Sequence, residues 1–567
     1  MRVVKQSLLF LGLALLLVVI PVQAEEYIFA FHDGTTATVY TTNTLEFVNS
    51  VEVGEGAVHA IGVPDPSQTQ SLLKIFVIRT DAVVVLEPDP PFLTVKTHTL
   101  SGPISFGEHS AFLTPDGSKL VVITGDLLHV FNALDPANPS RESLLFTEPI
   151  TGATANTTST RVHVITEGST EITSVNLSAD PPFILAGAIG LPQIPRVIGA
   201  SPNGSGIYAA SDTTFYEINS IDLDVTGSAL TELEGPKYMG FDPEAPVDSE
   251  FLVAGQRLGV MELSPLDRGR RFSPGDDLLE AVSPGSGNMF VVTASGLIHR
   301  ARFGGGGFPT IGDPEGGSFG LPAIDADAAP FGHGVVFGFG GAGRIVHLDA
   351  GGTVKRADVI PAMPITGIAV IEEFAPFRSE FQVYGGNEQF AAPGNRLTKP
   401  LSARLLSLDD RPLFRREITF TTELDTADIT PTTMLTNMYG VAQATVVVPT
   451  LDPFDVVAAT SPTLSATFNI NSGGEGFDGL TKIRGDFQYA VSEEPFPLPL
   501  VVQAKLSGEP LLGLDLTIAA PPRALSVPTI SRPTKTASRS SHVRRLSAFS
   551  RTPSRSTSGS PTVSGVS

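Results

Sequence analysis

The stretch that decides the fold is Lys119–Asn132, KLVVITGDLLHVFN. Two apolar runs flank Thr124–Asp126, and a Gly beside an Asp is typical of tight hairpin turns. The stretch therefore predicts two antiparallel strands. Met289–Ala301, MFVVTASGLIHRA, repeats this plan around Ser295 and Gly296, so the hairpin is a recurring unit.

Runs of this kind recur at a nearly regular spacing of about 44 residues, which is the period expected of four-stranded propeller blades. The spacing predicts a β-propeller over residues 25–373, with eight blades by count and seven as the runner-up. The runs begin near Tyr27, Ile75, Leu120, Val162, Ile207, Phe251, Met289 and Val335.

A third short strand precedes most hairpins and ends in a turn, as in Ala111–Ser118 (AFLTPDGS) and Ile198–Gly204 (IGASPNG). These strands are predicted to be the innermost of each blade. The hairpin at Tyr27 has no such strand ahead of it, whereas Gly367–Ile371 follows the last hairpin as a spare strand. We expect this strand to complete the first blade, which would close the ring by main-chain hydrogen bonds.

Composition supports an all-β chain and excludes several function classes. The 567 residues contain no Cys, which excludes disulfides, thiolate metal sites and cysteine nucleophiles. A net charge of −22 disfavours nucleic-acid binding. The 56 Gly and 46 Pro interrupt the chain too often for long helices.

The first 24 residues have the pattern of a secretory signal peptide. Basic residues precede the apolar run Leu8–Ile20, and small residues precede a predicted cut between Ala24 and Glu25. The run is shorter than the roughly 20 residues of a membrane-spanning helix. We therefore expect a protein that is secreted, periplasmic or held at a bacterial cell surface, with no transmembrane segment after cleavage.

The Ser/Thr-Pro-Asp/Asn-Gly turn followed by an apolar strand resembles the YVTN and lactonase-like group of bacterial surface propellers. The resemblance covers about 350 residues and implies a β-propeller exposed at the cell surface.

A different unit follows a predicted linker at 374–380, and it is duplicated. Residues of a first module at 381–472 recur in an incomplete second module at 483–522. The offset between the copies is 99 residues at first and 98 residues after a one-residue deletion. Lys399–Phe414 and Thr436–Ala444 resemble the bacterial Ig-like group 1 (Big-1) domains of invasin- and intimin-type proteins. The resemblance implies β-sandwiches that act as spacers.

Residues 523–567 contain 8 basic and no acidic residues among many Ser and Thr, and we predict that they are disordered. Two origins stay open. The segment is either a natural basic tail that contacts an anionic envelope polymer or the product of a frame lost near Pro522.

No catalytic motif emerges from the sequence. The ten histidines form no H-E-x-x-H pair, no serine lies in a G-x-S-x-G elbow, and no D-x-D-x-D-G run is present. We therefore predict no catalytic residues, no metal ligands and no cofactor, calcium being the one cofactor considered. His129, His299 and His347 fall on equivalent hairpin strands, which predicts structural roles.

One constellation suggests a ligand site. His109, Arg196 and Lys237 each lie six residues before a turn proline of an inner strand, so they are predicted to meet at one mouth of the central channel and bind an anion. The alternative is that they pair with acidic neighbours. Those neighbours are Glu108, Glu234 and Asp242.

The leading functional hypothesis is an exported interaction or adhesion protein, with the propeller as binding platform and the Ig-like modules as spacers. Its partner would be a surface protein or a polysaccharide. The alternative is a secreted propeller enzyme, a lactonase-like hydrolase or a lyase, that acts on an anionic or carbohydrate-derived substrate.

Overall fold

The stretch Lys119–Asn132 folds as the sequence predicts. In the computed structural model Lys119–Thr124 pairs antiparallel with Leu127–Asn132, and Thr124 stands opposite Leu127. The structure describes residues 26–510 apart from short segments, the longest of which are 242–249, 303–309, 312–322, 372–378, 473–479 and 485–500. The predicted signal peptide, with its cut between Ala24 and Glu25, and the tail at 523–567 lie outside the described residues.

The strands up to residue 190 are β1 (Tyr27–His32), β2 (Thr36–Thr41), β3 (Phe47–Glu52), β4 (Ala57–Pro64), β5 (Leu72–Arg79), β6 (Ala82–Leu86), β7 (Thr94–Thr99), β8 (Ala111–Leu113), β9 (Lys119–Thr124), β10 (Leu127–Asn132), β11 (Arg141–Leu145), β12 (Ile150–Ala155), β13 (Arg161–Thr166), β14 (Glu171–Asn176) and β15 (Ile184–Gly190).

The strands from 197 to 371 are β16 (Val197–Ala200), β17 (Ile207–Ala210), β18 (Thr214–Ile218), β19 (Val225–Leu230), β20 (Tyr238–Phe241), β21 (Glu250–Ala254), β22 (Leu258–Leu263), β23 (Leu266–Phe272), β24 (Leu278–Gly285), β25 (Asn288–Thr293), β26 (Ile298–Arg302), β27 (Thr310–Ile311), β28 (Ala323–Ala329), β29 (Gly334–Phe339), β30 (Arg344–Leu348), β31 (Val354–Val359) and β32 (Ile365–Ile371).

These 32 strands form eight four-stranded antiparallel sheets within the described part of the chain. Sheet 1 has the order β32-β1-β2-β3, and sheets 2 to 8 each take four consecutive strands, from β4–β7 to β28–β31. The first strand of each sheet is the inner strand, because inner strands of neighbouring sheets contact each other, as β16 does with β20 and β24 with β28. The arrangement is that of a β-propeller.

The ring closes through β32, as the sequence predicts. β32 pairs antiparallel with β1, Ile371 standing opposite Tyr27 and Gly367 opposite Phe31. β32 also contacts the inner strands on both sides, β4 and β28. Sheet 1 therefore joins the last strand of the ring to the first hairpin, and β32 pairs with the edge of β1 that would otherwise be open.

The apolar core of this ring is divided into clusters between neighbouring sheets. One cluster joins Phe29 in sheet 1 to Ile75 in sheet 2, another joins Phe76 in sheet 2 to Leu120 in sheet 3, and another joins Ile345 in sheet 8 to Ile28 in sheet 1. Because each hairpin strand has apolar residues on both faces, each sheet packs against both neighbours.

Two further sheets follow residue 378 and enclose one core that contains Leu405, Phe420 and Phe468. We refer to them as the sandwich. Its strands are β33 (Ser379–Gly385), β34 (Phe390–Ala391), β35 (Leu401–Ser407), β36 (Glu417–Thr421), β37 (Asp428–Thr430), β38 (Thr433–Leu435), β39 (Val441–Val447), β40 (Phe454–Ser461) and β41 (Leu464–Ser472). β33 begins two residues before the module predicted from the sequence.

Strand β35 is buried along its whole length, and β39 nearly so. One face of these strands packs on the sandwich core through residues such as Ala403 and Ala444. The other face, with Ser402 and Gln443, lies against the propeller. This second face is therefore an interface.

Part of the predicted second module is described. β42 (Leu480–Arg484), β43 (Val501–Leu506) and β44 (Glu509–Pro510) form a three-stranded sheet. Within the described ranges, no helix has the length and apolar character needed to span a bilayer.

Candidate ligand-binding channel

The inner strands enclose a central cavity of about 770 Å³. Small side chains line much of its wall, among them Gly152, Ala153, Ala200 and Ala281. Polar side chains also reach it, including Thr151 and those described below. The cavity lies within the size range of sites for small organic ligands.

One end of this cavity is covered by the sandwich. The turn between β38 and β39 lies on the propeller, where the backbone N–H of Met438 donates to the carbonyl of Pro115 at 2.7 Å and Asn437 Nδ2 donates to the carbonyl of Thr157 at 3.3 Å. Tyr439 lines the cavity, and burial raises the pKa of its phenol. Its ring is therefore a neutral wall at this end.

A buried polar network fixes the sandwich beside this turn. Ser402 Oγ donates to the carbonyl of Asn203 at 2.7 Å, and Gln443 Nε2 donates to the same carbonyl at 2.6 Å and to Ser402 Oγ at 2.8 Å. Gly204 has a φ of +72°, and a Cβ at this position would collide with the Gln443 side chain. The Ser-Pro-Asn-Gly turn thus permits a close approach that other residues would block.

The sandwich contacts equivalent turns of three consecutive sheets. Pro115, Thr157 and Asn203 each follow an inner strand, β8, β12 and β16 respectively. The turns that identify the propeller in the sequence are therefore also its docking face for the sandwich. Two of the predicted ligand-binding residues, Arg196 and Lys237, lie at the other end of their inner strands.

Two of the three predicted residues line the same cavity. Arg196 and Lys237 immediately precede β16 and β20 and lie at the mouth opposite the sandwich. Arg196 forms an ion pair with Asp212 at 3.2 Å, with about half of each side chain exposed, and Lys237 is exposed. His109 lies outside the described residues, as do the predicted alternative partners Glu108, Glu234 and Asp242.

A group of carboxylates on the far side of the channel was not predicted from the sequence. Glu280 on β24 is 6% exposed and lines the cavity, as does Asp327 on β28. Asp327 Oδ2 accepts the backbone N–H of Val370, and Asp325 Oδ2 accepts that of Ile368, both at 2.8 Å. In the sequence, Asp325 and Asp327 alternate with apolar residues along an inner strand. This alternation is not typical of a solvent-exposed turn, and it could have indicated that these carboxylates belong to the channel wall.

Among the histidines that the structure describes, His59 on β4 lines the cavity and the others do not. His129 shares hydrogen bonds with Thr124 Oγ1 at 2.8 Å and Ser143 Oγ at 2.7 Å, and His163 shares one with Ser174 Oγ at 2.7 Å. Across the described residues, no group of three or more His, Asp or Glu side chains has the geometry of a metal site.

These buried histidines predict sensitivity to acid. Burial, reinforced by nearby arginines, lowers the pKa of His129 to about 4 and that of His163 to about 3. The unfolded chain binds protons on both near pH 6.5 while the folded protein does not. As the pH falls from 6.5 toward 4, protonation of each histidine in the unfolded chain should therefore lower the free energy of unfolding by up to about 1.4 kcal/mol per pH unit.

Urea unfolding at pH 7, 6 and 5 measures this dependence. In the double variant His129→Gln and His163→Gln, the fall in the unfolding midpoint between pH 7 and 5 should be clearly smaller than in the wild type. Equal falls in the two proteins would show that other groups govern the acid response.

The similarity of the chain to known proteins is confined to solved structures. No family model and no curated protein matches the chain. One similar solved structure is the β-propeller domain of Cps50 (Swd1) from Myceliophteria thermophila, with 13% sequence identity and a TM-score of 0.39 over 52% of this chain and 97% of that chain. Another is the WD40 β-propeller domain of Doa1, with 12% sequence identity and a TM-score of 0.34 over 48% of this chain and 92% of that chain. A third is the dihydro-heme d1 dehydrogenase NirN in complex with DHE, with 11% sequence identity and a TM-score of 0.45 over 60% of this chain and 74% of that chain. The fold assignment rests on the strand pairing described above.

Proposed function

We propose that the chain is an exported interaction protein of the bacterial cell surface or extracellular space. Each of the eight sheets is a propeller blade, and the open end of the ring is the binding platform. The sandwich is an Ig-like, Big-1-type module that holds the platform in a fixed orientation. Its partner is an anionic surface protein or polysaccharide, and binding requires no cofactor.

The observation that carries this proposal is the placement of the sandwich. It covers the turn face through Pro115, Thr157 and Asn203, and none of the residues that the structure describes covers Arg196 and Lys237 at the opposite face in the same way. That face presents Arg196 and Lys237 at the mouth of the channel. In a chain with a net charge of −22, two cations at one mouth give a local attraction for anionic groups.

For two acidic residues beside the channel, the geometry favours a structural role over a part in the alternative function, that of a secreted hydrolase or lyase. General acid–base catalysis needs a carboxyl group free to exchange a proton with a substrate. Asp325 and Asp327 instead accept backbone N–H groups of β32. These bonds give both carboxylates a role in closing the ring.

Charge reversal at the mouth tests the proposal. The double variant Arg196→Glu and Lys237→Glu should bind immobilised polygalacturonate at least tenfold more weakly than the wild type, because it replaces two attractive charges with two repulsive ones. Surface plasmon resonance at 50 and 150 mM salt measures the effect, and the wild-type affinity should fall as salt rises.

A matched control changes two basic residues on the outer strands. Lys96→Glu and Arg141→Glu, on β7 and β11, alter the net charge by the same amount away from the mouth. Wild-type affinity in this control locates the site at the mouth. Equal weakening in both double variants, or equal binding of the wild type to neutral dextran, would contradict the proposal.

A further inference from the structure

A second, smaller cavity of about 210 Å³ lies between the propeller and the sandwich. Its propeller side includes Thr158 and Thr160 in the turn between β12 and β13, and its sandwich side includes Gln443 and Thr445 on β39. We refer to it as the junction cleft. Small-molecule sites occur preferentially at such boundaries between domains, and a cleft of this volume suits a molecule of about one ring.

The sandwich side of the junction cleft offers hydrogen-bond acceptors. Gln443 is 4% exposed, and its Nε2 uses its two hydrogens on Asn203 and Ser402. Among the residues that the structure describes, none donates to Gln443 Oε1. Thr445 Oγ1 gives its proton to the carbonyl of Thr430 at 2.9 Å, so this hydroxyl can only accept from a ligand.

A glycine keeps the oxygen of Gln443 open to the cleft. Gly204 lines the same cavity, and a Cβ at this position would lie 2.7 Å from Gln443 Oε1. Without that atom the oxygen is not enclosed by protein, although the rest of the Gln443 side chain is buried. A ligand that donates to it would complete the hydrogen bonding of the amide.

The propeller side offers a hydrogen-bond donor. Asn156 Nδ2 donates to Thr158 Oγ1 and to Thr160 Oγ1, both at 2.9 Å, and these two hydroxyls share a hydrogen bond of 3.0 Å. Each hydroxyl carries one proton, and the bond between them uses only one of the two. Within the described part of the chain the other proton has no acceptor, so a ligand can accept it.

This division between donor and acceptors selects the chemistry of the ligand. A bound group has to donate to Gln443 or Thr445 and accept from the threonine pair. Hydroxyl groups do both, whereas a carboxylate only accepts and an ammonium group only donates. The remaining wall is largely apolar, which suits the C–H groups between the hydroxyls of a sugar ring. The apolar residues are Pro400, Pro431 and Ala444.

Arg161 is the one charged residue among those described in the lining. Its backbone N–H donates to Asn156 Oδ1 at 2.9 Å, and the residue has further interactions within the protein. The groups with hydrogen-bonding capacity left for a ligand are therefore the neutral ones.

We propose that the junction cleft binds a neutral sugar of about one ring, which accepts from the threonine pair of the propeller and donates to Gln443 and Thr445 of the sandwich. This site goes beyond the proposed function, which concerns anionic partners at the open mouth of the channel. A bound sugar would contact both parts of the chain and so favour their docked arrangement.

Isothermal titration calorimetry with the full chain tests the ligand class. The probes are D-glucose, D-galactose and D-mannose, with cyclohexanol as a ring that carries one hydroxyl. At least one sugar should bind with a Kd below about 10 mM, and cyclohexanol should bind at least tenfold more weakly. Equal binding of cyclohexanol, or no binding of any sugar, would overturn the inference.

A charged probe tests whether Arg161 governs the cleft instead. The uronate that corresponds to the best sugar replaces one hydroxymethyl group by a carboxylate. It should bind no more tightly than the neutral sugar. Tenfold tighter binding of the uronate would show that the site is an anion site, contrary to the inference.

Substitutions locate the site. Thr160 is exposed, so Thr160→Phe should fill the cleft without disturbing the core and weaken sugar binding at least tenfold. The double variant Thr158→Val and Thr160→Val removes the donor and should weaken it at least fivefold. Thr97→Phe, at an exposed position of β7, is the matched control. Equal affinity in Thr160→Phe and Thr97→Phe would contradict the assignment to the junction cleft.

The double variant Arg196→Glu and Lys237→Glu separates this inference from the proposed function. It should bind the sugar as the wild type does while its binding of polygalacturonate falls. If sugar binding falls with it, the sugar occupies the channel and the inference fails. If no sugar binds while polygalacturonate binding depends on Arg196 and Lys237, the inference fails and the proposed function stands.

Discussion

Replacement of Gln443 by glutamate should uncouple the sandwich from the propeller. The side chain keeps its shape, but an amide that donates to the carbonyl of Asn203 and to Ser402 Oγ becomes a carboxylate that faces another acceptor. Gln443 is 4% exposed, so the new charge is buried facing that carbonyl, and the Ser402 hydroxyl can donate to it only by giving up its bond to Asn203. We expect a loss of about 3–5 kcal/mol of coupling between the two parts.

Differential scanning calorimetry measures this effect. The wild type should unfold the propeller and the sandwich in one coupled transition, and Gln443→Glu should split that transition into two. Gln382→Glu, on β33 where the side chain is solvent-accessible, is the control and should leave one transition. A single transition at the wild-type temperature in Gln443→Glu would show that the network does not hold the interface.

The second large effect concerns closure of the ring. Asp325 Oδ2 accepts the N–H of Ile368 at 2.8 Å, and Asp325 is 7% exposed. Because N–H groups alternate in direction along a strand, that of Ile368 points away from β1 and needs another acceptor. Asp325→Ala leaves it buried and unpaired and should lower the free energy of unfolding by about 2–3 kcal/mol.

Asp349→Ala is the matched control for this variant. Asp349 Oδ1 also accepts a backbone N–H at 2.8 Å, from Thr353, but in an exposed turn of the same sheet. Water can replace the acceptor there, so we expect a loss below about 1 kcal/mol. Urea unfolding compares the two. Equal losses would mean that Asp325 stabilises a local turn-like contact and not the closure.

Hydrogen exchange tests independently whether Asp325 stabilises the closure of the ring. In Asp325→Ala the amides of β32 and β1 should exchange faster than those of β9 and β10, because local opening of sheet 1 then costs less free energy. Uniform acceleration across all sheets would place the effect of Asp325 in the general stability of the ring.

The hairpins, and the strand that closes the ring, were predictable from the sequence because their signals are local. Lys119–Asn132 carries both its strands and its turn within 14 residues. Gly367–Ile371 was recognisable because the hairpin at Tyr27 lacked an inner strand, and the structure pairs the two. Main-chain pairing needs only apolar runs of the right length and turns between them.

The candidate site was predictable only in part. Arg196 and Lys237 were found because the repeat places them at equivalent positions, and the structure brings both to one mouth. Glu280 and Asp327 were missed because they occupy no repeated position. They share the cavity only because β24 and β28 are inner strands of neighbouring sheets.

The role of the sandwich was decided by the tertiary structure alone. In the sequence, Ser402 and Gln443 have the pattern of a solvent face, since polar residues alternate with apolar ones. The structure buries both against the carbonyl of Asn203, which lies 199 residues before Ser402 and 240 before Gln443. No local pattern encodes which partner covers a polar face, because that partner is assembled from distant segments.

The sequence by itself therefore determined the strands, their grouping into sheets and the closure by Gly367–Ile371, all of which depend on local periodicity and turn chemistry. The tertiary structure decided which end of the channel is covered, by Tyr439 and its neighbours, and which charges share the cavity. The physical reason is that burial and hydrogen-bond partners are properties of surfaces that meet only after the ring has closed and the sandwich has docked.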